Sequence, residues 1–373
     1  MPPQRISRLT PLSAILALIE ARAVTVPSRQ CPLAAALGAT LAEDVVVSSM
    51  PPHPIALRDG FAVTAAATAD ASAYAPLPLA SVPRRIDAGE PLPGGADAVA
   101  PHDAVTLGGD RAEAIATITP GEGVLPVGGD VSARTPLRRA GQRLRALDVG
   151  ILTAAGIAEV PVRQPRIRIV CGGAKETPFI DAALTILAQA VTAAGGTALD
   201  ASREAGRLPE ALEDLEAEGA DAVFAIGGTG SGRNDVSVQT LAQIGSVAAH
   251  GIALSPAETA AFGFAGGRPV LLIPGRIDAV LAVWLLLGRH IVAKLAGGTI
   301  EDGATILPLK RKVASTIGLT ELIPVACAGG VAEPLGRGYL SLTMLGRSDG
   351  WIAVPADSEG FAVGTQVAVR PWF

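Results

Sequence analysis

Apolar positions at Leu12, Ile15, Leu16 and Ile19 fall on one face of a helix. Thr10 can cap it and Pro11 suits its first helical position. A strand is expected over 41–48. Between 50 and 145 the pattern changes. Pro51, Pro52, Pro54, Pro91, Pro93, Gly94 and Gly95 break the chain, and short runs at 98–100 and 114–118 fit strands. This predicts a β-rich module with many turns. A helix follows over 148–155 and a strand over 160–162. From Arg166 the pattern becomes regular, with strands at 167–171, 222–226 and 270–273. Helices are expected at 181–194, 209–218, 236–244 and 277–294. Strands and helices alternating at this length imply a parallel sheet covered on both faces. Beyond 306 short strands and glycine turns return, at 339–344, 351–354 and 366–369.

Composition narrows the function classes. The chain has 373 residues, enough for two to four domains at about 100–150 residues each. Net charge is −5 and no basic block appears, which argues against a nucleic-acid surface. The most apolar stretch, 279–287, is shorter than the about 20 residues that cross a bilayer. The N-terminus lacks a basic-then-apolar leader pattern. Cys31, Cys171 and Cys327 are widely spaced, so neither a disulfide framework nor a zinc cluster is expected. The four histidines are scattered too. These features predict a cytoplasmic protein without a membrane or nucleic-acid partner.

The strand at 222–226 runs into Gly227, Gly228, Thr229, Gly230, Ser231 and Gly232. In an open α/β sheet, ligands sit beyond the carboxyl ends of the strands. Glycines there let the backbone approach a ligand, and successive N–H groups can hold an anion. No GKS or GKT follows, so the loop is not a P-loop. Asp235 then either caps the next helix or faces the ligand. A bare glycine turn reads equally well from this segment alone. A second turn, Pro274-Gly275-Arg276, leaves another strand end and favours a pocket over a turn.

Taken together, these segments resemble a known family. "IGGTGSGRNDV" is similar to the GGxxxGxxD loop of molybdopterin-binding folds. "RDGFAV" at 58–63 resembles MDGYAV of the molybdopterin molybdenumtransferases, the MoeA and gephyrin E-domain family. "AGEPLPGGADAV" at 88–99 resembles TGAPLPxGADAV, and "GGDVSA" at 128–133 resembles the GEDI segment. "IPGRIDAV" at 273–280 stands where the family has LPGNPVSA, and 348–369 resembles the terminal barrel. The likeness runs from about residue 10 to 373.

The resemblance implies four parts. Residues 1–49 plus 141–165 would form an N-terminal helical linker domain, and 50–140 an inserted β-rich module. Residues 166–305 would form a three-layer molybdopterin-binding α/β domain, and 306–373 a small C-terminal β barrel. It also implies a homodimer whose pocket joins the α/β domain of one subunit to the β module of the other. The implied reaction takes adenylylated molybdopterin and molybdate to molybdenum cofactor and AMP, with Mg2+. Asp59, Asp130 and Asp235 would be the catalytic acids, with Asp59 and Asp235 on the metal. Gly227–Gly232, Pro274, Gly275, Arg276, Lys175 and Ser255 would bind the pterin ligand.

Several family positions have changed. The threonine of TGAPLP is Ala88, and the Glu of GED is Gly129. STGDEL is "CGGAKE", which puts Ala174 and Lys175 where two acids belong. KPGKP is "SPAET", which replaces its lysines with Ser255 and Glu258. Arg276 and Ile277 replace the Asn and second Pro of LPGNP. Two pocket lysines would offset phosphate and molybdate charge. Their loss leaves Lys175 and Arg276 as candidate replacement cations. Three functions therefore stand open: a molybdenumtransferase; a pterin-binding carrier or scaffold for a molybdoenzyme; or a relative that takes another phosphorylated ligand.

Overall fold

The computed structural model describes residues 6–173, 178–199, 208–215, 217, 219–233 and 235–373. The chain divides into two units. One comprises Met1–Glu43, Ala140–Val149 and Ala158–Phe373, and the other Asp44–Arg139 and Gly150–Ile157.

The first unit is built on a six-stranded sheet. Its strand order is Thr197–Leu199, Arg166–Cys171, Ala222–Ile226, Arg268–Ile273, Ala261–Ala265, Ser246–His250. The first four are parallel, and Cys171 pairs with Ile226, which pairs with Ile273. Three strand ends therefore stand level. The last two strands are antiparallel, so the sheet is mixed where alternation alone suggested parallel strands. The cause is local. Gly266 and Gly267 both take positive φ, +53° and +77°, in a two-residue turn that returns the chain beside the strand it has just left.

Alternate residues of the central strands face opposite layers. Ile167, Ile169, Phe224, Ile226, Leu271 and Ile273 pack with helix Pro178–Ala193 and the long helix that begins at Ile277. Val170, Val223, Ala225, Val270 and Leu272 pack with helices Leu208–Glu213 and Ser237–Ile244. Each fully buried Leu, Ile or Phe contributes about 1.5–3 kcal/mol. The continuous apolar runs follow from burial on both faces. The long helix spans Ile277–Ala296, so it reaches membrane-crossing length, but 78% of its most apolar window is buried inside the protein. It is a core helix, interrupted by one π-helical segment, Trp284–Gly288.

Helix Leu12–Arg22 buries Ile15 and Ile19 as its periodicity requires, with Pro11 in the cap position instead of Thr10. The strand expected at 41–48 shortens to Thr40–Leu41, which pairs with Glu159–Arg163. In the C-terminal part, strand Thr320–Ala328 pairs with Val331–Pro334 and Gly350–Val354. The strand expected at 339–344 is instead a short helix, Leu342–Gly346. Ser341 caps it by accepting from Met344 N at 3.3 Å, which outweighs the apolar alternation.

The second unit is β-rich. Gly60–Val63 pairs with Arg85–Ile86 and Ala98–Ala100. Arg111–Ala114 pairs with Leu77–Pro78 and Val105–Gly108, so the strand expected at 114–118 lies earlier in the chain. Phe61, Val63, Ala98, Ala100 and Ile118 belong to its core.

Candidate functional site

The glycine loop leaves Ile226 at the level strand ends. Gly227 and Gly228 take φ of +95° and +74°, a region that side-chain-bearing residues rarely adopt. Space excludes a side chain at Gly228 as well. A Cβ there would strike Ser237 Oγ and come within 2.6 Å of Gly172 O. Ser237 is fully buried, and its hydroxyl donates between Gly172 O at 2.8 Å and Gly227 O at 2.9 Å. Its N–H donates to Gly228 O at 3.1 Å. One serine thus ties two neighbouring strand ends to the start of the next helix.

The loop's far side is fixed by the segment at 250–259. His250 Nε2 donates to Thr229 O at 3.0 Å, and the Thr229 and Thr259 hydroxyls lie 3.1 Å apart. Ser255 in this segment is 6% exposed and pairs, through its backbone, with buried Glu321 of the C-terminal strand. Asp235 does not cap the following helix, whose cap position is Val236. Its Oδ2 accepts from Gly232 N at 2.8 Å, which closes the tip of the loop itself. Ser231 and Gly232 are exposed there.

The second turn lies against the first. Gly227 N donates to Ile273 O at 2.7 Å, and a Cβ on Gly275 would come 3.5 Å from Gly227 Cα. Pro274 and Gly275 are half-buried. Arg276 is engaged by its own neighbours. Its Nε and Nη2 donate to Asp278 Oδ1 at 3.0 Å and Oδ2 at 2.7 Å, and its guanidinium carbon stands 4.1 Å from the Tyr339 ring centroid. The hydrogen bonds to Asp278 raise the arginine pKa further above its ordinary value, against an opposing effect of burial. Arg276 is therefore a paired cation, whereas the sequence offered it as a replacement for a lost lysine. Ala174 and Lys175 lie outside the described residues.

Two expected acids belong to the second unit. Asp59 is exposed, and its Oδ1 accepts from Ala88 N at 2.8 Å, which ties the DG turn to the loop where the family has threonine. Arg58 beside it donates twice to Val99 O, at 3.1 and 2.7 Å, and pairs with Glu122 at 2.8 Å. The bond from Arg58, and next those from Thr119, hold Glu122 below the usual carboxylate range. Asp130 is exposed, and its N–H donates to Met50 O. A Cβ at the preceding Gly129 would come within 2.5 Å of Leu125 Cδ1, so the local packing suits glycine there. Among the described residues no three His, Cys, Asp or Glu side chains converge as a metal site. Asp59 and Asp235 each already hold a backbone N–H. One accepted N–H leaves each carboxylate with further acceptor capacity.

Three consecutive profiles of one protein family match the chain in sequence. They are the MoeA N-terminal region (domain I and II) over 10–156, the probable molybdopterin binding domain over 176–294 and the MoeA C-terminal region (domain IV) over 307–372. The chain belongs to the MoeA family of molybdopterin molybdenumtransferases. It is thus a MoeA-like protein of molybdenum cofactor biosynthesis. The glycine loop and the second turn both lie within the segment matched by the molybdopterin-binding profile.

Individual MoeA-family relatives agree with this. A Methanocaldococcus jannaschii protein, provisionally named a molybdopterin biosynthesis protein, is 26% identical and covers 90% of this chain and 89% of its own. Molybdopterin molybdenumtransferase 2 of Mycobacterium tuberculosis is 29% identical over 68% of this chain and 70% of its own. The crystal structure of a MoeA protein from Pyrococcus horikoshii OT3 superposes with a TM-score of 0.80 at 25% identity, covering 98% of this chain and 100% of that one.

Sequence reasoning missed Ser237, His250, Thr259, Asp278 and Tyr339. Of these, only Asp278 carried a signal, as an acid at the head of an otherwise apolar helix.

Proposed function

We propose that this protein binds adenylylated molybdopterin at the paired glycine turns and exchanges its AMP for molybdate. The observation that supports the reading is the Ser237 junction, which ties two glycine-bearing strand ends together at the level carboxyl edge of the sheet. Gly227–Gly232 would hold the phosphate or pterin, and Pro274-Gly275 would form the neighbouring wall. Asp59, Asp130 and Asp235 would position molybdate or water, with Asp59 and Asp235 as the candidate Mg2+ ligands. The homodimer, the cytoplasmic setting and the Lys175 contact belong to the same proposal.

A second reading has its own support. Ser255 and Glu258 replace two lysines, and Arg276 is neutralised by Asp278. Such a site favours retention of a pterin over stabilisation of departing phosphate charge. In that case the protein would carry molybdopterin, or serve as scaffold for a molybdoenzyme. One experiment separates the two. Purified protein is incubated with adenylylated molybdopterin, molybdate and Mg2+, and AMP release is measured beside ligand retention. Release above background supports transfer. Retention without release supports the carrier. Neither release nor retention overturns both.

A further inference from the structure

The second strand-end turn carries a flat cation that is not arranged as a phosphate clamp. The guanidinium of Arg276 is fixed from two directions. In its own plane it makes both bonds to Asp278, at 3.0 and 2.7 Å. On one face it meets the Tyr339 ring, 4.1 Å from the centroid. Asp278 is itself immobilised. It is 2% exposed, and it accepts from Ala279 N at 3.0 Å and from Leu340 N at 3.1 Å. Even so, the Arg276 side chain remains 54% exposed. A guanidinium with one edge paired and one face over a ring leaves its other face uncovered by either partner.

The chemistry of that face follows. Guanidinium is planar and weakly hydrated, and it stacks on flat π systems. With Asp278 at contact distance, its net attraction for a phosphate is small. Relative to the LPGNPVSA pattern, Arg276 and Asp278 depart together, one in place of Asn and the other in place of Val. A lone arginine at this position would have been a mobile charge, whereas the pair makes it a rigid plate.

We propose that Arg276 is a stacking shelf for the planar heteroaromatic ring of the ligand, with Asp278 and Tyr339 as its positioning residues. The inference rests on the pterin-binding reading of the site and adds which side chain recognises the ring. It is tested by quenching of 6-hydroxymethylpterin fluorescence, a probe without phosphate. The variants are Arg276→Lys, which keeps the charge and loses the plane, and the double variant Arg276→Gln/Asp278→Asn. The double variant keeps a plane, loses the charge and leaves no unpaired buried carboxylate. Thermal melting confirms that each remains folded.

A shelf predicts that Arg276→Lys weakens pterin binding about 5- to 10-fold while the double variant retains more of it. It also predicts wild-type affinity that is nearly flat between about 0.05 and about 0.5 M salt. The reverse order of variants, or equal binding by all three proteins, overturns the shelf and leaves the site reading intact. Absence of quenching by the wild type overturns the pterin reading of the site, and the shelf with it.

Discussion

Ser237→Ala tests whether one hydroxyl holds the glycine turns together. The substitution removes a single oxygen from a fully buried position at the first residue of helix Ser237–Ile244. Alanine is the better helix former, so propensity opposes any loss. Little volume is removed, so a cavity contributes little. What changes is the environment of two carbonyls, Gly172 O and Gly227 O, which share the hydroxyl proton at 2.8 and 2.9 Å. Depriving a buried acceptor of its donor costs about 1–3 kcal/mol, and since one proton is shared the loss is expected to be about 1–3 kcal/mol in all. Urea unfolding followed by tryptophan fluorescence is a suitable assay, because Trp284, Trp351 and Trp372 all lie in the unit that contains the loop. At a slope of about 2 kcal/mol/M, the midpoint should fall by about 0.5–1.5 M with the slope unchanged. Molybdopterin affinity should fall in parallel, since loosened turns must be re-ordered on binding. A midpoint and an affinity both equal to wild type would refute the role given to this hydroxyl.

Three further outcomes are expected. Gly228→Ala should destabilise by about 2–4 kcal/mol, from its positive φ and its collision with Ser237 Oγ and Gly172 O. Gly230→Ala meets only Asp235 Oδ2, at 2.7 Å, the end of a side chain that can shift, so it should cost clearly less in the same unfolding assay. His290 has its pKa lowered from 6.5 to about 4, chiefly by burial and next by the charge of Arg289, with Asp302 opposing. The unfolded chain then binds a proton that the folded chain refuses. Stability is complete above about pH 6.5 and is lost as pH falls toward 4, by at most about 3 kcal/mol. Urea midpoints measured across that range should flatten in His290→Gln, and an unchanged pH profile in that variant would contradict the assignment.

Much of the α/β layer was legible in the sequence for a physical reason. Strands such as Ala222–Ile226 are buried on both faces and so read as unbroken apolar runs, and the glycines after them mark where the chain must turn. The antiparallel pair was not legible. Ser246–His250 buries only Ala249 and shows no alternation, and Ala261–Ala265 carries a glycine at its centre. The site was half legible. Turn glycines announce themselves by composition, whereas their supports do not. Ser237 has the look of an ordinary helix-start residue. The partner that flattens Arg276 on one side, Tyr339, lies far along the chain, and Asp278 stands at i+2, a spacing to which no helical or strand pairing rule assigns contact.

The altered charges also read differently once their partners are known. From the sequence, the loss of two lysines left a deficit that Arg276 could fill. In the fold, Arg276 pairs with Asp278, and Arg337 stands 3.5 Å from Glu321, whose backbone pairs with that of Ser255. Arg276 and Arg337 therefore each have a carboxylate partner. Local pairing of this kind cancels the field that would draw in a phosphate from a distance, but it leaves hydrogen-bonding edges and flat faces in place. In the glycine turns the Gly227 N–H is taken up by Ile273 O and the Gly232 N–H by Asp235 Oδ2, so these two groups serve the fold of the loop first. On the proposed shelf, recognition would rest on shape and stacking more than on charge. A ligand held in this way would be retained by its ring system, and the rate of the proposed AMP release would depend on how far the turns can still stabilise the leaving phosphate.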